Sequence, residues 1–100
     1  MPRRVLVRAV GPTLSTAFGV PGSMADPSVT VFRGQTQIAA NNDWGGGATL
    51  TAVFASVGAF ALPVASLDAA LVLTLAPGDY TAQIKGTGAG EVIVEVYFVD

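Results

Sequence analysis

Asn41, Asn42, Asp43 and Trp44 are the densest group of chemistry-bearing side chains in this 100-residue sequence. With Asp26 from another loop, Asp43 is where a hard cation such as calcium would find carboxylates, the amides and backbone carbonyls supplying further oxygens toward its usual six to eight ligands. Only one carboxylate lies in the local run, so such a site is weak. The commoner use of Asn and Asp in a turn is to hydrogen-bond their own backbone. Trp44, the only tryptophan, stands before Gly45, Gly46 and Gly47. An exposed ring there would stack on a sugar. In a domain this small, a lone tryptophan more often plugs the end of the core, its N–H bonded to a loop carbonyl.

The remaining residue types exclude most catalysis. The chain has no histidine and no cysteine, hence no Ser-His-Asp triad, no thiol nucleophile and no His- or Cys-ligated zinc. Glu91 and Glu95 fall on one strand face about 13 Å apart by strand rise, wider than the carboxylate pairs of glycosidases. Gly45-Gly46-Gly47 lacks the Lys-Ser/Thr of a phosphate loop, and the glycines at 86, 88 and 90 join strand to strand, so they form a hairpin loop and not a dinucleotide fingerprint. A net charge of −2 with only five basic residues gives no electrostatic reason for nucleic acid. Arg3, Arg4, Arg8 and Arg33 read as solvated strand edges, and Asp68 and Asp79 as caps. The sequence does not point to an enzyme.

Six strands and one helix would carry these residues. Arg4–Val10 alternates Val5, Val7 and Ala9 against Arg4, Leu6 and Arg8 and stops at Gly11-Pro12. Residues 13–18 make at most a helical turn. Ser28–Phe32 and Thr36–Ala40 form a hairpin across Arg33-Gly34-Gln35. Leu50, Val53, Phe54 and Val57 mark one apolar stripe of a helix over 48–57, with Gly58 as its αL cap. Asp68–Leu75 is apolar on both faces and suits a central strand. Pro77-Gly78-Asp79 turns the chain into Tyr80–Lys85, and Glu91–Val99 follows the glycine loop. Turn signals roughly every ten residues predict an antiparallel, jelly-roll-like β-sandwich of six to seven strands, filling residues 1–100 as one module. The longest uncharged run, 44–67, is broken by Gly and Pro and is no membrane span. No signal peptide is visible, since Met1-Pro-Arg-Arg runs straight into a strand.

Three stretches carry a resemblance: Arg4-Val-Leu-Val-Arg-Ala-Val-Gly-Pro-Thr-Leu14, Asn42-Asp-Trp-Gly45, and Ala59-Phe-Ala-Leu-Pro63 with Asp68-Ala-Ala-Leu71 and Pro77-Gly-Asp-Tyr-Thr-Ala-Gln83. Together they cover nearly all the chain. They resemble the β-sandwich module that recurs in large secreted and surface proteins of Verrucomicrobia-type bacteria. More distantly, the chain is similar to the bacterial pre-peptidase C-terminal domain, a jelly-roll module appended to secreted enzymes. The resemblance implies an extracellular or cell-surface accessory module, structural or binding. In the module family another strand-bearing segment commonly precedes the Arg-Val-Leu-Val motif. Met1-Pro2 stands in that place here, and the calcium-ligand pattern of the collagen-binding relatives does not map onto this chain.

Two functions are therefore expected. The first is a non-catalytic structural module that self-associates into a homo-oligomer through strand edges or an apolar sheet face. The second is a calcium- or glycan-binding accessory module using Asn41, Asn42, Asp43 and Trp44, with Asp26 and Asp43 as the calcium carboxylates.

Overall fold

In the computed structural model, which describes residues 2–86 and 90–99, the first strand is the one on which the others are laid. β1 (Arg3–Val10) is fully buried from Val5 to Val10. Val5, Val7 and Ala9 pack into one apolar cluster, whereas Leu6 and Val10 pack into another on the opposite side. A period-2 strand can bury both faces only when a layer lies on each.

The other elements supply those layers. They are α1 (Pro12–Phe18), β2 (Pro27–Arg33), β3 (Thr36–Asn41), α2 (Ala48–Ser56), β4 (Ala69–Leu75), β5 (Tyr80–Gly86) and β6 (Ile93–Val99). Two antiparallel three-stranded sheets result, in the orders β4-β1-β6 and β3-β2-β5. Val29 and Val31 of β2 meet Val5, Val7 and Ala9 between the sheets. On the outer face of the β4-β1-β6 sheet, Val53 and Phe54 of α2 join Trp44, Leu62, Leu6 and Val10. The chain is thus a β-sandwich with a helix and an extended connection laid over one sheet.

The α2 stripe is placed as its spacing requires, with Val53 and Phe54 buried and Leu50 and Val57 half-buried against the core. The helix ends in a Schellman arrangement: the Ala59 N–H donates to the Phe54 carbonyl at 2.9 Å and the Gly58 N–H to that of Ala55 at 3.3 Å. Gly58 takes the left-handed conformation this closure needs, at φ 75°.

Several expectations change. There are two short helices, not one: α1 runs for seven residues from Pro12, whose fixed φ suits the first helical position. The central strand is β1, and β4 is an edge, its apolar faces covered by β3 and β2 on one side and α2 on the other. The Pro77-Gly78-Asp79 turn carries the chain across to the second sheet, where β5 pairs with β2. The last strand begins at Ile93, and Glu91 makes an isolated parallel bridge to Ser23. The glycines at 86, 88 and 90 do not close a hairpin, since β5 and β6 lie in different sheets; residues 87–89 lie outside the described residues. No helix among the described residues is long and apolar enough to cross a membrane.

Gly11, between β1 and α1, is held where no side chain fits. A Cβ there would stand 2.1 Å from the Met24 carbonyl oxygen, a backbone atom that cannot swing aside. Gly11→Ala is expected to cost about 2–3 kcal/mol by overpacking, read as a lowered urea midpoint at unchanged m-value.

Candidate functional site

The loop from Asn41 to Trp44 is fastened at both ends. Asn41 closes β3, and its amide is committed at both atoms: Nδ2 donates to the Asp43 carbonyl at 3.1 Å and Oδ1 accepts from the Ala70 N–H at 3.0 Å. The second bond ties β3 to β4 across the two sheets. Trp44 is 5% exposed. Its Nε1–H donates to the Pro63 carbonyl and to Ser66 Oγ, both at 3.1 Å, and its backbone N–H to the Asp68 carbonyl at 3.0 Å. The ring lies tilted on Phe54, with centroids 5.2 Å apart. A sugar-stacking platform needs an open ring face, and this indole is in the core. Asn42 and Asp43 remain exposed.

Asp26 comes to Asp43 from the loop before β2. Its carboxyl is raised above the ordinary aspartate value, first by burial and then by the charge of Asp43 nearby. One oxygen, Oδ1, is shielded from solvent and has no hydrogen-bond partner. A like charge beside a carboxylate disfavours its ionised form, and a cation placed between the two would relieve the repulsion. Of the residues singled out in sequence, the structure thus brings Asp26 to Asp43 and assigns Asn41 and Trp44 to holding the loop. Among the described residues, no group of three acidic, His or Cys side chains is assembled to hold a metal.

A second polar cluster sits under α2, and no sequence motif announces it. Arg8, expected at a solvated strand edge, is completely buried. Its guanidinium lies between two aromatic rings, 4.7 Å from the Phe54 centroid and 4.4 Å from that of Phe60. Nη1 donates to the Phe60 carbonyl at 2.7 Å. Nε lies 2.9 Å from Glu95 Oε1, a charge contact out of line for a hydrogen bond. Burial lowers the Arg8 pKa, with Glu95 the largest opposing influence, yet an arginine keeps its charge under such a shift. Asp68, also fully buried, is indeed a cap, but for a helix 55 residues earlier in the chain. Its Oδ1 accepts from the backbone N–H groups of Gly11 at 2.8 Å and Thr13 at 3.3 Å, and its Oδ2 from the Thr13 hydroxyl. The N-cap, Gly11, has no side chain to do this.

The third feature is an open flank. Val94, Val96 and Phe98 of β6 stand opposite Ala9, Val7 and Val5 of β1, so they project from the same face, toward the second sheet. They are nevertheless 45%, 62% and 64% exposed. The cleft between the sheets on this side holds about 270 Å³ and is lined by Val5, Val7, Val31, Tyr80, Ala82 and Val96. It adjoins one of about 280 Å³ that reaches Arg3 and Phe98, where Arg3 lies 4.4 Å over the Phe98 ring.

These contacts define a small mainly-β sandwich with a pinned loop, a buried ion pair and one unfilled side. No protein-family model, curated protein or solved structure matches the chain.

The ion pair gives a direct test. Removing one partner of a buried pair leaves the other charge unpaired, which costs about 3–5 kcal/mol. The Glu95 side chain is 17% exposed, so Glu95→Ala is expected near the lower end. The double change Arg8→Met with Glu95→Gln should cost less than Glu95→Ala alone, as measured by chemical unfolding.

Proposed function

We propose that this chain is a non-catalytic structural module that associates with further copies of itself, outside the cell or at the cell surface. The observation that carries the reading is the apolar face of an edge strand left in water: Val94, Val96 and Phe98 on β6. Monomeric proteins seldom leave contiguous apolar surface on a sheet edge, because both the side chains and the unpaired backbone groups recruit another strand. The extracellular setting rests on the resemblance of the Arg4–Leu14 and Pro77–Gln83 stretches to the secreted module. The absence of histidine and cysteine supports a non-catalytic role by removing the commonest bases and nucleophiles. Light scattering across a concentration series is expected to show a mass rising toward a multiple of one chain by high micromolar concentration. A mass fixed at one chain throughout overturns the reading.

A second reading, calcium binding, is favoured by the meeting of Asp26 and Asp43 with one shielded, unpartnered oxygen. The raised Asp26 pKa means that the folded chain holds this proton more tightly than the unfolded chain. Stability is therefore lost as pH rises from the ordinary aspartate range through the raised value. A calcium ion between the carboxylates would reverse that loss by binding the native state. Calcium at neutral pH should then raise the melting temperature of the wild type over an EDTA control and leave Asp43→Asn unmoved. Superimposable melts of the wild type with and without calcium would discard the site.

A further inference from the structure

We propose that β6 pairs antiparallel with β6 of a second copy, centred on Val96, joining two β4-β1-β6 sheets into one continuous six-stranded sheet. This inference rests on the self-association reading and names the surface and geometry by which it occurs.

The choice of β6 follows from comparing the edges. At β4, the Ala70 N–H is already taken by Asn41 Oδ1, and Trp44 donates to the carbonyl of Asp68 just before the strand. The β3 edge carries a register irregularity in its pairing with β2, and Thr36 and Gln37 are exposed on it. The β5 edge carries Thr81, Gln83 and Lys85. Bulges and edge lysines are the devices that keep sheets from pairing edge to edge. β6 has none of them: Ile93–Val99 contains no Lys, Arg or Pro and pairs with β1 without interruption. Its one charged side chain, Glu95, is held on the opposite face by Arg8 at 2.9 Å.

The sequence of β6 is also complementary to itself. Full overlap of the strand with a copy places Val96 on the two-fold axis, opposite its own counterpart. Val94 then faces Phe98 of the other chain, an aromatic against a β-branched residue, which is a favourable cross-strand pair. Glu95 faces Tyr97, so like charges do not oppose. A centre at Glu95 would set carboxylate against carboxylate, and a centre at Tyr97 would shorten the overlap. A two-fold contact of this kind closes on itself and gives a dimer, not a filament.

Area bounds the contact. The exposed parts of Val94, Val96 and Phe98 amount to on the order of 300 Å² per copy, from the size of such side chains. Ile93, at 45% exposed, and the strand backbone add to this. In-plane pairing covers the flanks of these side chains and leaves their cleft-facing surface open, so the total for two copies is at most roughly 1,000 Å², at the low end of specific interfaces. The expected dimer is therefore weak, dissociating in the micromolar range.

The test uses the absence of cysteine. In an antiparallel pair, directly opposed Cα atoms lie about 4.5–5.5 Å apart, within disulfide reach. Val96→Cys should form a disulfide-linked dimer rapidly under mild oxidation, and Ile38→Cys on the β3 edge should not. Val96→Lys should weaken the dimer at least tenfold in sedimentation, and Ile38→Lys should leave it unchanged. Circular dichroism melts confirm that each variant is folded; the Val96 side chain is 62% exposed, so the fold does not depend on it. A dimer indifferent to Val96→Lys, with the Val96→Cys variant no faster to cross-link than Ile38→Cys, overturns the β6 pairing and leaves self-association standing. A wild type that stays monomeric at high micromolar concentration overturns both.

Discussion

Arg8 is a full positive charge inside a stretch, Val5 to Val10, whose other residues are as buried as any in the molecule, and much of the fold is an answer to it. Taking a guanidinium out of water costs several kcal/mol even after relaxation. Four groups return part of that: Glu95 from β6, the Phe60 carbonyl from the connection after α2, and the faces of Phe54 and Phe60. These groups come from three separate segments, so the arginine is satisfied only when the whole outer layer is in place. Nη2 still lacks a hydrogen-bond partner. An apolar residue of similar volume could be as stable here, as it is at many buried ion pairs. Phe54 and Phe60 are among its partners, so a different seating of α2 and the connection after it would leave the charge without them.

The second buried charge works on the same principle from the opposite direction. Asp68 collects two backbone N–H groups and a hydroxyl at the start of α1, where a helix has orphan donors and a partial positive charge. Its own carbonyl accepts from Trp44. One residue therefore joins the first helix, the pinned loop and the first residue of β4. With Asn41 reaching from β3 to Ala70, the β3–β4 side of the sandwich is closed by directional bonds, which do not slide as apolar contacts can.

The local part of this is legible in the sequence, and the long-range part is not. The alternation of Val5, Val7 and Ala9, the stripe of Leu50, Val53, Phe54 and Val57, and the glycine at 58 each encode an element through neighbours a few residues away. The burial of Trp44 with its N–H on a loop carbonyl follows from the chemistry of one indole in a small core. Arg8 escapes such reading because a strand's period tells which side a residue points to, not what lies on that side. Asp68 reads as a cap, yet the helix it serves lies far back in the chain. The Pro77-Gly78-Asp79 turn encodes a reversal, but nothing local distinguishes a hairpin from a crossing to the facing sheet. The first helix, α1, leaves little trace because only Thr13 and Leu14 of its residues are buried, too few to print a period.

The closed side and the open side are consequences of each other. Asn41 holds β3 against β4, and β2 lies over β1 and β4. The second sheet is thereby registered toward the β4 side of the first. Each sheet has three strands, so a shift that covers β4 withdraws cover from β6 at the other end. Val94, Val96 and Phe98 are left above the cleft that the shift opens. The β6 edge is apolar for the reason that makes it a good third strand for β1, since the same residues that would fill a closed sandwich face water in an offset one. The directional bonds that fasten one flank thus generate the apolar surface on the other, and it is on this surface that the proposed self-association rests.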